Sequence, residues 1–147
     1  MGVTAEDMQA LIGHRFPGGT VKIERWENAL LTDAARSEPL PEGVVHPTWL
    51  FHGPISAVGL SLRDLFDLFG AESDEAVRAG GYEWTMRAPL REGATYRASG
   101  EVTGTERKTS AKLGPMDVTS FRIELRDEAG EFVASTSSTW LLLRSQP

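Results

Sequence analysis

Four side chains in the first half of the sequence could move a proton. His46 and His52 flank Pro47–Phe51, and Asp33 and Glu38 lie a short way upstream. A neutral imidazole can take a proton from water near neutral pH, and a carboxylate behind it orients the ring. Either histidine could pair with either carboxylate. The competing assignment is structural, because both histidines border the aromatic cluster Trp49-Leu50-Phe51, where a packed or capping imidazole is the ordinary outcome. His14 reads as structural. Asp64 and Asp67 are further carboxylates, but their spacing sets them opposite Ile55, Leu62 and Phe66, on a solvent- or partner-facing side. Three histidines without ligand spacing give no metal site, and no glycine-rich phosphate cradle occurs.

The elements that must position these residues are readable from periodicity. Ala5–Leu11 is a short helix with Thr4 as N-cap. Thr20–Glu24 alternates as a strand, and Arg25–Arg36 is helical, with Trp26, Ala29, Leu30 and Ala34 at helical spacing. Ser37–Pro47 holds Pro39, Pro41, Gly43 and Pro47, so it is an irregular loop. The spacing then predicts one helix from Pro54 to Phe69. Pro54 suits its first turn, Gly70 its end, and Ile55, Val58, Leu62, Leu65, Phe66 and Phe69 form a wide apolar face. Gly59 inside such a helix costs about 1 kcal/mol against alanine, which implies close packing there. From Gly81 the period changes to two. Tyr82, Trp84 and Met86 alternate with polar residues, and strands follow from Tyr96, around Phe121–Leu125, and over Phe132–Leu143, with a hairpin turn at Asp127–Gly130. One large apolar helix followed by consecutive antiparallel strands is an α+β fold.

With 147 residues, 40% of them hydrophobic and 24% charged, the chain is sized for one globular domain spanning 1–147. A net charge of -6 argues against nucleic acid, whose phosphates need a basic surface. The densest basic stretch, Arg107-Lys108 with Lys112, suits a surface hairpin. No cysteine is present, which removes disulfides and thiol chemistry. The apolar runs are too short to span a bilayer, and Met1–Asp7 has neither a basic nor an apolar segment of signal-peptide type. A cytoplasmic protein without a membrane partner is expected.

Several segments resemble MaoC-like hydratase/dehydratase domains. Leu11-Ile12-Gly13-His14-Arg15-Phe16 before a Val-Lys-Ile strand, His46-Pro47-Thr48-Trp49-Leu50-Phe51, Gly81-Tyr82-Glu83-Trp84, Pro89-Leu90-Arg91-Glu92-Gly93, the Tyr96–Lys108 strand, and the ending with Asp127–Gly130, Val133-Ala134 and Thr139-Trp140 occur in that family's order. The likeness covers nearly the whole chain and is nearest to N-terminal halves of double hot-dog dehydratases. It implies a hot-dog fold, in which a curved antiparallel sheet wraps a long central helix. It also implies an acyl thioester on CoA or an acyl-carrier phosphopantetheine, no other cofactor, and reversible addition of water to a 2-enoyl chain. A dimer with itself or with another hot-dog subunit is expected.

The family draws its acid/base pair from a D-x-N-P-x-H motif. Aligned on Glu38-Pro39-Leu40, this sequence has Arg36 at the aspartate position and Pro41 at the histidine position. His52-Gly53-Pro54 does resemble the family's His-Gly step, which places the carbonyl-polarising N–H near Gly53, with Trp49 and Arg36 as further substrate contacts. Three readings follow. The chain is a hydratase/dehydratase in which His46 or His52 acts with Asp33 or Glu38; or it is an acyl-binding subunit for a catalytic partner; or it is a thioesterase using Asp64 or Glu38.

Overall fold

The computed structural model describes residues 2–145. The helices are α1 (Ala5–Gln9), α2 (Arg25–Ala34), α3 (Gly53–Ala57) and α4 (Leu62–Leu68). The strands are β1 (Gly19–Lys22), β2 (Val77–Met86), β3 (Thr95–Ser110), β4 (Gly114–Arg126) and β5 (Phe132–Leu143). A 3₁₀ turn, Pro47–Phe51, leads into α3. All strand pairs are antiparallel, in the order β1-β3-β4-β5-β2. β3, β4 and β5 are joined by short turns, so consecutive strands become neighbours. β2 and β1 close the two edges.

β4 shows why the sheet has a single wet face. Asp117, Thr119, Phe121, Ile123 and Leu125 alternate inward and are all buried. The helical segments cover this face. Phe69 and Trp140 pack on Phe121 with ring centroids 6.0 and 5.1 Å away, and Leu50, Val58 and Leu65 complete the centre of the core. Each such side chain contributes about 1.5–3 kcal/mol when fully buried.

The single helix expected from Pro54 to Phe69 is two short helices. α3 stops at Ala57, and Gly59 takes a φ of 81°, a left-handed geometry that ends helices and suits glycine. Close packing does hold there: a Cβ on Gly59 would stand 3.0 Å from the Gly18 carbonyl oxygen. Ser61 then starts α4 with a reciprocal cap. Its hydroxyl accepts the Asp64 N–H at 3.0 Å, and its own N–H donates to the Asp64 carboxylate at 2.9 Å. The Ser61 N–H and hydroxyl hold the Asp64 carboxyl below the usual aspartate range.

α1 forms with Thr4 as its cap, as expected, and ends at Gln9. α2 also forms, but it turns its polar side inward. Asn28 is buried, whereas Trp26 and Leu30 are 65% and 61% exposed. Asn28 satisfies all of its polar atoms on the loop: Nδ2 donates to the Val44 carbonyl at 3.0 Å and to Glu92 at 2.7 Å, and Oδ1 accepts the His46 N–H at 2.7 Å. One amide thus fastens the 37–46 loop to α2 and to the turn before β3.

A buried ionic cluster closes the far end. Asp117 is fully buried and accepts from Arg107 at 2.8 and 2.9 Å and from Arg144 at 2.8 Å. Arg144 also donates to the carbonyls of Phe69 at 2.8 Å and Gly70 at 2.5 Å. A guanidinium placed there satisfies the orphan carbonyls at the end of α4 and complements its dipole. Burial pushes the Asp117 carboxyl up, but hydrogen bonds and charge from the two guanidiniums outweigh it, and the net shift is downward.

Candidate functional site

The step from the 3₁₀ turn into α3 is held from three sides. His46 caps the turn: its Nδ1 lies 3.2 Å from the Thr48 N–H and 2.8 Å from the Thr48 hydroxyl. A ring nitrogen that accepts a backbone N–H carries no proton, so the imidazole proton sits on Nε2. Trp49 is fully buried, and its indole N–H donates to Glu27 at 3.3 Å. Gly53 rests on that indole; a Cβ there would come within 2.3 Å of the ring. The third hold is Tyr82 on β2, whose hydroxyl donates to the Leu50 carbonyl. Burial raises the Tyr82 phenol to about 12, against a smaller opposing effect of the Thr136 hydroxyl. The phenol is therefore a donor, and its proton is already engaged.

These constraints leave an apolar cleft between the helices and the concave face of the sheet. It has a volume of about 430 Å³ and is lined by Phe51, His52, Ile55, Leu62, Tyr82, Ser138 and Trp140, with the small residues Ala79, Gly80 and Gly81 of β2. A second cavity of about 350 Å³, walled by Leu31, Ala34, Ala35, Thr48 and Trp84, shares Phe51 and His52 with the first. These two residues border both cavities. The Gly80 position is a bulge in the β2–β5 ladder, and a Cβ there would stand 3.2 Å from Leu141 and from the Thr139 carbonyl. The first cavity alone is large enough for a slender, mostly apolar molecule.

The residues singled out in the sequence divide unevenly over this geometry. His52 is exposed and borders both cavities. Gly53 is buried beside it. α3 has only five residues, and Pro54 removes one donor from its first turn, so any dipole at this end is small. Trp49 supports the step from within the core and does not line the cleft. His46 is spent on capping. Asp33 lines a separate cavity of about 540 Å³ between α2 and the following loop, and Glu38 lies exposed on that loop. Arg36 is exposed, with a φ of 52° at the end of α2. Among the described residues, no histidine forms a hydrogen bond or an ion pair with a carboxylate. Asp64 is taken up by its helix cap, and no group of residues could hold a metal ion among those described. The cleft walls Phe51, Tyr82, Ser138 and Trp140 were not anticipated as site residues. The Gly80-Gly81 pair inside a period-two strand was the available signal, since such glycines mark a bulge or a close approach.

No family model matches the sequence, and no curated protein does. Solved structures do match. A MaoC-like dehydratase superposes with a TM-score of 0.70 at 15% identity, over 94% of this chain and 44% of that one. The HadBC (3R-hydroxyacyl-ACP dehydratase) complex from Mycobacterium tuberculosis gives 0.67 at 12% identity, over 89% and 96%. The ChsH1–ChsH2 complex from the same organism gives 0.66 at 18%, over 97% and 91%. No helix among the described residues is long and apolar enough to cross a membrane. The chain therefore has the hot-dog fold.

Proposed function

We propose that this chain is the acyl-thioester-binding subunit of a hot-dog hydratase/dehydratase, and that a second hot-dog chain supplies the imidazole–carboxylate pair. One observation carries the reading: an apolar cleft of acyl size opens beside the His52–Gly53 step, and among the described residues neither His46 nor His52 bonds a carboxylate. Such a site can bind and orient a CoA or phosphopantetheine thioester, but it has no positioned base to activate water. The reaction of the assembly is reversible hydration of a 2-enoyl thioester.

The sheet supports a partner in this reading. β2 pairs with β5 on one side only, and a ten-residue edge strand invites pairing with another chain. Phe51, Trp84 and Met86 are exposed along the same edge. Two of the structural relatives above are themselves two-chain complexes. Thioester hydrolysis by Asp64 is disfavoured by the engagement of its carboxylate in the α4 cap.

Calorimetry with acyl-CoA and a crotonyl-CoA hydration assay on the purified chain test this. Binding without turnover, and turnover on adding the partner, are the expected results. Turnover by the chain alone, abolished in His46→Ala or His52→Ala with the fold intact, would establish an independent hydratase instead. Absence of binding to any acyl thioester, alone or with a partner, would refute the reading.

A further inference from the structure

β2 carries a bulge where it forms one wall of the 430 Å³ cleft. Ala79 pairs with Trp140 and Gly81 with Thr139, so Gly80 is an extra residue without a partner on β5. The two glycines turn away from the cleft. A Cβ on Gly80 would meet Leu141 at 3.2 Å, and one on Gly81 would lie nearest the Thr139 side chain, at 3.9 Å. Leu141 and Thr139 alternate with Trp140 along β5 and therefore face the outer side of the sheet. Tyr82 returns to the helix-covered side, where its hydroxyl reaches the Leu50 carbonyl. Between Ala79 and Tyr82 that side thus has two residues facing away, where a regular strand has one. Ala79 itself carries only a methyl group. A bay opens across the ladder from Trp140, floored by peptide backbone.

Trp140 forms the side of this bay and is held in place. Phe69 and Phe121, both buried, meet its indole nearly at right angles with centroids 6.0 and 5.1 Å away, and Phe66 packs against it at 5.6 Å. An aromatic wall fixed in advance binds without losing rotamer freedom of its own. A straight acyl chain would leave the bay beside it partly empty, and an unfilled void forfeits dispersion contacts. A flat ring fills the bay and meets the indole in the edge-on or offset geometry that aromatic pairs favour. We propose that Ala79 and Trp140 are specificity-determining residues, and that the cleft selects acyl thioesters carrying a planar aromatic ring over straight-chain ones. This rests on the acyl-binding reading above and adds to it the shape of the acyl group.

The test uses the protein as purified, with any hot-dog chain that accompanies it. Two carbon-matched pairs of saturated ligands, which cannot be hydrated, are titrated by calorimetry: 3-phenylpropanoyl-CoA against nonanoyl-CoA, and 5-phenylpentanoyl-CoA against undecanoyl-CoA. Wild type is expected to bind at least one phenyl ligand about three- to tenfold more tightly than its linear counterpart, the worth of an aromatic pair beyond its buried area. Ala79→Leu fills the bay from the exposed edge strand and is expected to abolish that preference while keeping the linear ligands bound. The wild-type comparison needs no variant, so it stands even if the substitution disturbs folding. Equal or tighter binding of both linear ligands by wild type, or a preference that survives in folded Ala79→Leu, overturns the ring-binding bay and leaves acyl binding intact. If none of the four ligands binds, the acyl-binding reading falls and the bay falls with it.

Discussion

Replacing Asp117 with asparagine should produce a large loss of stability from a single isosteric change. In the native protein Asp117 answers two guanidiniums, and these differ in their access to water. The Arg107 side chain is 31% exposed and can turn outward, whereas that of Arg144 is 5% exposed and tied to the end of α4. Asp117→Asn therefore leaves one buried cation without its counter-charge. Removing one partner of a buried pair costs about 3–5 kcal/mol. A chain of 147 residues unfolds with an entropy of about 0.3 kcal/mol per kelvin, so the melting temperature should fall by about 10–16 °C. The pH dependence gives a second, independent readout. Because folding depresses the Asp117 pKa, the ionised carboxylate stabilises the native state above the ordinary aspartate value of about 3.9. That contribution disappears as pH falls through the lower, folded value. Calorimetric scans from neutral pH to about pH 3 should show the wild type losing its advantage over Asp117→Asn only below about pH 4. If the two proteins melt within about 3 °C of each other at neutral pH, or keep a constant gap down to the acid limit, the ionic account of this cluster is wrong.

Gly59→Ala forces a side chain into a left-handed backbone position and should cost about 1–2 kcal/mol in urea unfolding. A continuous helix through residue 59 would instead make that substitution stabilising. Ser61→Ala should cost about 0.5–2 kcal/mol and leave acyl-CoA affinity unchanged. The two histidines should separate by assay: His46→Ala lowers the melting temperature and spares ligand binding, whereas His52→Ala spares stability and weakens binding at the cavity junction. Phe51→Asp, at an exposed position beside the β2 edge, should convert an associated species into a monomer by light scattering. An unchanged mass would exclude that edge as the contact.

Much of the strand content was legible because β4 alternates with a period of two, and the Asp127–Gly130 turn marks where it ends and β5 begins. The interrupted helix was not. Ile55, Val58, Leu62, Leu65 and Phe69 fit one helical face, and nothing in their spacing betrays a break, because α3 and α4 present consecutive stretches of the same stripe to the same core. The evidence lay in residues of another kind. Gly59 and the Ser61-x-x-Asp64 pattern together spell a stop followed by a fresh N-cap. Read as a tolerated glycine and an outward carboxylate, they lost that meaning. The structure also separates the candidate proton-handling side chains for a related reason. Proximity in sequence put His46 and His52 near Asp33 and Glu38, but Asp33 lines a different cavity and Glu38 lies exposed on the loop that the Asn28 amide fastens.

α2 shows what periodicity cannot decide. Trp26, Leu30 and Ala34 do share a stripe, as their spacing of four requires, yet the side turned to the rest of the chain carries Asn28, Leu31 and Thr32. A period identifies the residues that share a face and is silent about which face is covered. In this chain a single buried amide, satisfied by three loop groups, sets the rotation of the helix, and the apolar stripe follows outward. A tryptophan and a leucine left largely in water on one short helix, close in sequence to Ala34 and Ala35 in the cavity that Phe51 and Trp84 share, fit the free β2 edge and the two-chain reading. On the two-chain reading proposed above, the stripe keeps its ordinary meaning, a face to be buried by a second chain.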